Sequence, residues 1–193
     1  MDEAVQHLSC ALDQLVLLQD ALGPEVEVTS AGTRAVVGAP VAPEMEALLR
    51  NRALGSGGST ARQLAGDQLR AADLVLTMTT RQRGSAVALA PAVVRRTFTL
   101  RELARLLLGV EADALGSATA ERLRRAVPTA AARRAYVADL RADDIADPYG
   151  RAEADYRRAF AEVLAAVEVL AATLVSSGQS PATAGSDSPP NAG

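Results

Sequence analysis

The sequence predicts an α/β layered fold with a parallel sheet packed against helices, and three observations carry that expectation. Asp73 to Met78 (DLVLTM) is a nearly unbroken apolar run, the pattern of a strand buried on both faces of a parallel sheet. Strand-like and helix-like segments alternate along the chain, as layered α/β domains require. The segment from Ala152 to Val175 sets Tyr156, Phe160, Val163, Leu164, Val167 and Leu170 on one helical stripe, which must face a core.

The remaining elements follow in order. Ala4 to Leu22 places Val5, Leu8, Leu12, Leu15, Val16 and Leu22 at helical spacing, and Gly23-Pro24 stops it. Val26 to Ser30 alternates as a short strand and ends at Ala31-Gly32. After Pro40 and Pro43, Glu44 to Leu54 reads as a helix with Met45, Leu48 and Leu49 on one side. Gly55 to Gly58 is a flexible loop, and Ser59 or Thr60 caps a short helix over Ala61 to Leu69. Beyond the strand at 73–78, a helix runs from Arg81 to Leu89, a weaker strand from Val93 to Phe98, and a helix from Leu100 to Leu108. Gly109 to Arg141 is a surface excursion with helical pieces at Ala118–Val127 and Ala130–Leu140. Ser176 to Gly193 is rich in Ser, Pro, Gly and Ala without periodicity, and reads as a disordered tail.

Composition narrows the function. The 193 residues suit one domain over 1–175 plus the tail, and with 49% hydrophobic but only 3% aromatic residues the core is built from Ala, Val and Leu. All 20 basic residues are arginine, and the net charge of −3 with interspersed signs argues against a nucleic-acid surface. A single cysteine, Cys10, excludes a disulfide framework, dithiol redox cycling and a thiolate-rich zinc site. A single histidine, His7, argues against a Ser/His/Asp triad and reads as a surface residue near a frayed end. No apolar run spans a bilayer, because Ala159 to Val175 carries Glu162 and Glu168. The acidic start MDEAVQH lacks the basic region of a signal peptide, so a cytoplasmic location is expected. The pairs Arg95-Arg96, Arg124-Arg125, Arg133-Arg134 and Arg157-Arg158 are expected on a solvated face, and Asp143-Asp144 in an acidic loop without metal. No cofactor is expected.

Four segments in order then carry a resemblance: Thr29 to Thr33 (TSAGT) with Gly38-Ala39-Pro40, Ala71 to Met78 (AADLVLTM), Thr97 to Glu102 (TFTLRE), and Asp144 to Gly150 (DIADPYG). Together they resemble the low-molecular-weight protein-tyrosine-phosphatase family, especially its bacterial members, over roughly Ser9 to Val175. The resemblance implies a three-layer fold with helices on both faces of a parallel sheet. Its chemistry is hydrolysis of phosphotyrosine through a phosphocysteine. A thiolate in a C-x5-R-[ST] loop attacks phosphorus, backbone N–H groups and the loop arginine hold the oxygens, and a late aspartate acts as general acid and then base. Asp147 occupies that aspartate's position, Tyr149 the wall of the substrate cleft, and Ser30 the position that braces the phosphate loop. Gln82 stands near where some members carry His or Asn supporting that loop.

The departure is as informative as the match. Val16 stands six residues after Cys10, and the first arginine is Arg34, so C-x5-R is missing. Cys10 falls on the Leu8–Leu12–Leu15 stripe, the place of a small buried hydrophobe, without a glycine turn or cation to lower its pKa. In the family the strand before the phosphate loop is central, between the strands that here read Val26–Ser30 and Leu74–Met78. Its loss is expected to leave a gap that must close, be filled, or remain partly unfolded. The expectation is an N-terminally truncated family member, inactive as given. A phosphotyrosine protein or aryl phosphate is the substrate if a complete form exists, with neither nucleic acid nor membrane as partner. The alternative is a non-catalytic phosphatase-like binding or regulatory module. Arsenate reduction on the same fold needs three cysteines and is disfavoured.

Overall fold

The computed structural model describes residues 16–33, 35–134 and 141–175. Cys10, His7, the segment 135–140 and the tail 176–193 therefore lie outside the described residues. A short helix, α1, covers residues 16–22 and is the described end of the helix expected over Ala4–Leu22. Helix α2, Pro43–Arg50, starts with proline at its first turn, where no backbone donor is lost, and buries Met45 and Leu49 one turn apart. Helix α3 is Gly66–Ala71. Strand β1, Val75–Thr77, leads into helix α4, Thr80–Leu89. A 3-10 turn over Pro91–Arg96 leads into strand β2, Thr97–Thr99, and helix α5, Leu100–Leu107. Helices α6, Thr119–Arg133, and α7, Glu153–Leu174, complete the fold.

The expected α/β architecture is present: a parallel sheet covered by helices. Among the described residues the sheet has two strands, with Val75 paired to Thr97, Leu76 to Phe98 and Thr77 to Thr99. Both strand-to-helix junctions use the same device. Thr79 and Thr99 accept from the N–H groups of Gln82 and Glu102, whose side chains reach back in a capping box. The main core gathers Phe98 of β2 with Leu100, Leu103 and Leu107 of α5 and with Val163, Leu170 and Leu174 of α7. The α7 stripe faces inward as its spacing requires: Tyr156, Phe160, Val163, Val167 and Leu170 are buried, and Leu164 packs against the core from partial cover.

Several expectations are corrected. Residues 26–30 form no ladder; the Gln19 side chain accepts from the Val28 N–H and donates to the carbonyls of Val26 and Gly23, taking the place of a neighbouring strand. The strand expected over 73–78 is three residues long and only half-buried, so it is not covered on both faces. Ser59 and Thr60 cap no helix: Thr60 bridges to Pro40, Gln63 bridges to Gly32, and the helix begins at Gly66. The strand expected over Val93–Phe98 starts later, because the chain after Pro91 turns in 3-10 form and buries Val93 with Leu69, Ala86 and Ala90. The stretch after Gly109 is more than a surface excursion, since α6 is continuous through Pro128 and places Leu123, Ala126 and Ala130 in the main core.

Candidate functional site

The DIADPYG segment is held at the carboxyl ends of both strands, where open parallel sheets place their ligand sites. Four contacts do this. Ile145 N–H donates to the Met78 carbonyl (2.9 Å) just beyond β1. Thr80, at the start of α4, gives Asp144 both its N–H (2.6 Å) and its hydroxyl (3.2 Å). The Thr99 hydroxyl donates to the Asp143 carbonyl (3.2 Å) at the end of β2. Arg105 of α5 grips the two carboxylate oxygens of Asp143 from Nε and Nη2, a bidentate pair. That pairing raises the Arg105 pKa further and keeps the guanidinium charged.

From this anchorage the chain continues into a turn that Asp147 builds itself. Its Oδ1 accepts from the Tyr149 N–H at 3.0 Å, the short-range bond for which aspartate is favoured in turns. Gly150 follows at φ +68°, a left-handed conformation that suits glycine, and its N–H donates to the Tyr156 hydroxyl of α7 (3.3 Å). Tyr156 is buried, and this desolvation pushes its phenol pKa up, against the lowering effect of the Gly150 bond; the charges of Glu44 and Asp147 add to the rise. Asp147 and Tyr149 are both half-buried.

The structure thus brings Asp147 and Tyr149 into one turn. Ser30 sits elsewhere, in the wall of a cavity of about 600 Å³ that separates residues 26–30 from β1. Leu18 and Leu22 of α1 also line it, as do Leu74, Leu76 and Met78, and Leu123 of α6. Gln82 lines the same cavity while its side-chain Oε1 accepts from the N–H groups of Met78 (2.8 Å) and Thr79 (3.2 Å). Among the described residues no group of acidic, His or Cys side chains is arranged to hold a metal ion. No helix among them is long and apolar enough to cross a membrane.

Two expectations about charge change here. Asp143 and Asp144 are not a solvated acidic loop, because Arg105 and Thr80 engage them. Arg134 is likewise not on a solvated face, whereas Arg133 is exposed as expected. Arg133 donates to the Leu106 carbonyl (2.8 Å), while Arg134 binds Glu102 (2.8 Å) and the Thr97 carbonyl (2.7 Å) and stacks on Phe98, 4.1 Å from the ring centre. Arg83 binds the other side of Glu102, which is only 1% exposed. This Arg83–Glu102–Arg134 cluster around a buried carboxylate was invisible as such in the sequence; the one available signal was Glu102 at the capping-box position after Thr99.

Comparison with known proteins bears on the family and the fold. The family model for low molecular weight phosphotyrosine protein phosphatases matches residues 11–111. No curated protein matches in sequence. Among solved structures, the Erwinia amylovora tyrosine phosphatase amsI superposes with a TM-score of 0.64 at 18% identity, covering 87% of each chain. The arginine phosphatase YwlE of Geobacillus stearothermophilus gives 0.63 at 23% identity, over 87% of this chain and 86% of its own. Vibrio vulnificus Wzb, solved with benzylphosphonate, gives 0.63 at 18% identity, over 88% and 94%. These likenesses show the fold, and the family match spans just over half of the chain. The chain belongs to the low molecular weight phosphotyrosine protein phosphatase family.

Proposed function

We propose that the 193-residue chain keeps the phosphatase fold without phosphatase turnover. The observation that carries this reading is chemical. Residues 11–111, which match the family, contain no cysteine; Cys10 just before them has Val16 at the sixth position beyond it, and the first arginine is Arg34. A phosphocysteine pathway needs a thiolate nucleophile and a cation to hold the phosphoryl oxygens, and this chain pairs them nowhere at C-x5-R spacing. In this reading Asp147 keeps the general-acid position, Tyr149 the cleft wall and Ser30 the loop-bracing position, with no nucleophile for them to serve. A form that carried the strand and C-x5-R loop would act on a phosphotyrosine protein or an aryl phosphate. A cytoplasmic location, a helical insertion at 109–141 and an appended tail at 176–193 belong to the same reading.

The test is an aryl phosphate assay on the purified chain. The expected result is no release of phenolate above the buffer rate. Turnover that Asp147→Ala abolishes would overturn the proposal. The second reading, a phosphatase-like binding or regulatory module, is favoured by one observation, the open cavity beside β1.

A further inference from the structure

We propose that this cavity is an acceptor groove for one extended strand of a separate polypeptide, apolar along its length and basic at its amino end. The inference rests on the family fold and deepens the binding-module reading. It does not depend on the absence of catalysis.

One wall is the outer edge of β1 and the other is residues 26–30, which form no ladder of their own. β1 pairs with β2 along one edge, and among the described residues no strand pairs along the other. The Gln19 side-chain amide donates to the Val26 carbonyl and accepts from the Val28 N–H, the i, i+2 pattern of an extended chain. In an extended chain successive residues point their backbone groups to opposite edges, so those of Glu27 and Thr29 lie on the edge away from Gln19. No backbone-to-backbone hydrogen bond joins residues 27–31 to another described residue. Gln19 is also not among the residues lining the groove. A strand entering here would gain main-chain bonds on both sides, the mode by which an extended peptide completes a sheet.

The walls also set direction and side chains. Thr33, beyond the first wall, lines a second, smaller pocket together with Arg81 and Gln82, beyond the second wall, so both walls end together and run in parallel. Leu18, Leu22, Leu74 and Leu76 give the groove its apolar lining. Where the walls begin, Glu25, Glu27 and Asp73 are exposed and acidic, whereas Arg62 lies at the other end, its carbonyl accepting from the Gly32 N–H (2.8 Å). Arg124 enters the lining from α6 with its side chain in solvent. A parallel strand with a basic residue at its amino end meets the acidic mouth; one with an acidic residue there is repelled. Residues 26–30 extended span about 17 Å, enough to pair with a strand of similar length.

The experiment titrates the full chain with a synthetic six-residue peptide, one arginine followed by alternating valine and leucine, and follows binding by calorimetry. A second peptide carries proline at its third position, which removes a main-chain donor while keeping the peptide apolar. A third begins with glutamate. The expected result is saturable binding of the first, at least tenfold weaker for the proline peptide and weaker for the glutamate peptide. Absence of binding, or equal binding of the arginine and proline peptides, would overturn the proposal. Hydrogen exchange on the free chain supplies the other arm: if β1 and residues 27–29 are already fully protected, the chain fills its own groove and the proposal fails. Aryl phosphate turnover would sink the proposed lack of catalysis and leave this outcome to the peptides alone.

Discussion

The two strands of one sheet live in different surroundings. All three residues of β2 are buried; all three of β1 are only partly covered. Phe98, fully enclosed, belongs to the core shared with α5 and α7 and carries Arg134 across its ring, while its ladder partner Leu76 borders a cavity of about 600 Å³. The lesson is that a strand's apolar run states what it could bury. Whether it does depends on a neighbour that the run itself does not encode.

The difference gives an ordered set of expected effects. Phe98→Ala should be the most damaging, costing about 4 kcal/mol in a denaturant titration, because it opens a cavity in a packed core. Glu102→Ala should cost about 3 kcal/mol by the same measurement, since it strands Arg83 and Arg134 beside a buried site; their partial exposure holds the loss to the lower end for broken buried pairs. Leu76→Ala should cost only about 1 kcal/mol, because the side chain already borders open space. A loss there equal to that at Phe98 would erase the contrast between the strands.

Tyr156→Phe removes the acceptor of the Gly150 N–H and should cost about 1 kcal/mol. It also changes the alkaline limb. A phenol whose folded pKa is raised contributes stability that is full below its unfolded value near 10 and falls as pH rises through the folded value. Unfolding curves of the parent chain should therefore weaken above about pH 10, and those of the variant should weaken less. Removal of 176–193 should have the smallest effect, a change in unfolding free energy of about 0.5 kcal/mol or less.

Periodicity carried the helices well, because an amphipathic stripe such as Tyr156–Phe160–Val163–Val167–Leu170 needs only one apolar neighbour of any kind. It carried the strands less well. Val93 and Val94 have strand-like side chains, yet Pro91 and the small cluster around Val93 turn the chain in 3-10 form. Residues 26–30 alternate as a strand should, and the Gln19 side chain, seven to nine residues away, supplies the bonds instead. Of the candidate site, the Asp147–Tyr149 turn was legible because aspartate bonds locally. Its anchorage was not: Thr80 and Arg105 lie 64 and 38 residues from their acidic partners in sequence. Arg134 was misplaced on a solvated face for the same reason, since Glu102 and Phe98 meet it only through the fold.

Among the described residues, one edge of β1 and the facing edge of residues 26–30 have no strand partner, while β2 is enclosed. Residue-resolved hydrogen exchange on the free chain tests this contrast most directly. The account predicts fast exchange at Glu27 and Thr29 and at the open-edge amide positions of β1, with slow exchange through β2 and α5. Uniformly slow exchange across both strands and residues 27–29 would contradict it.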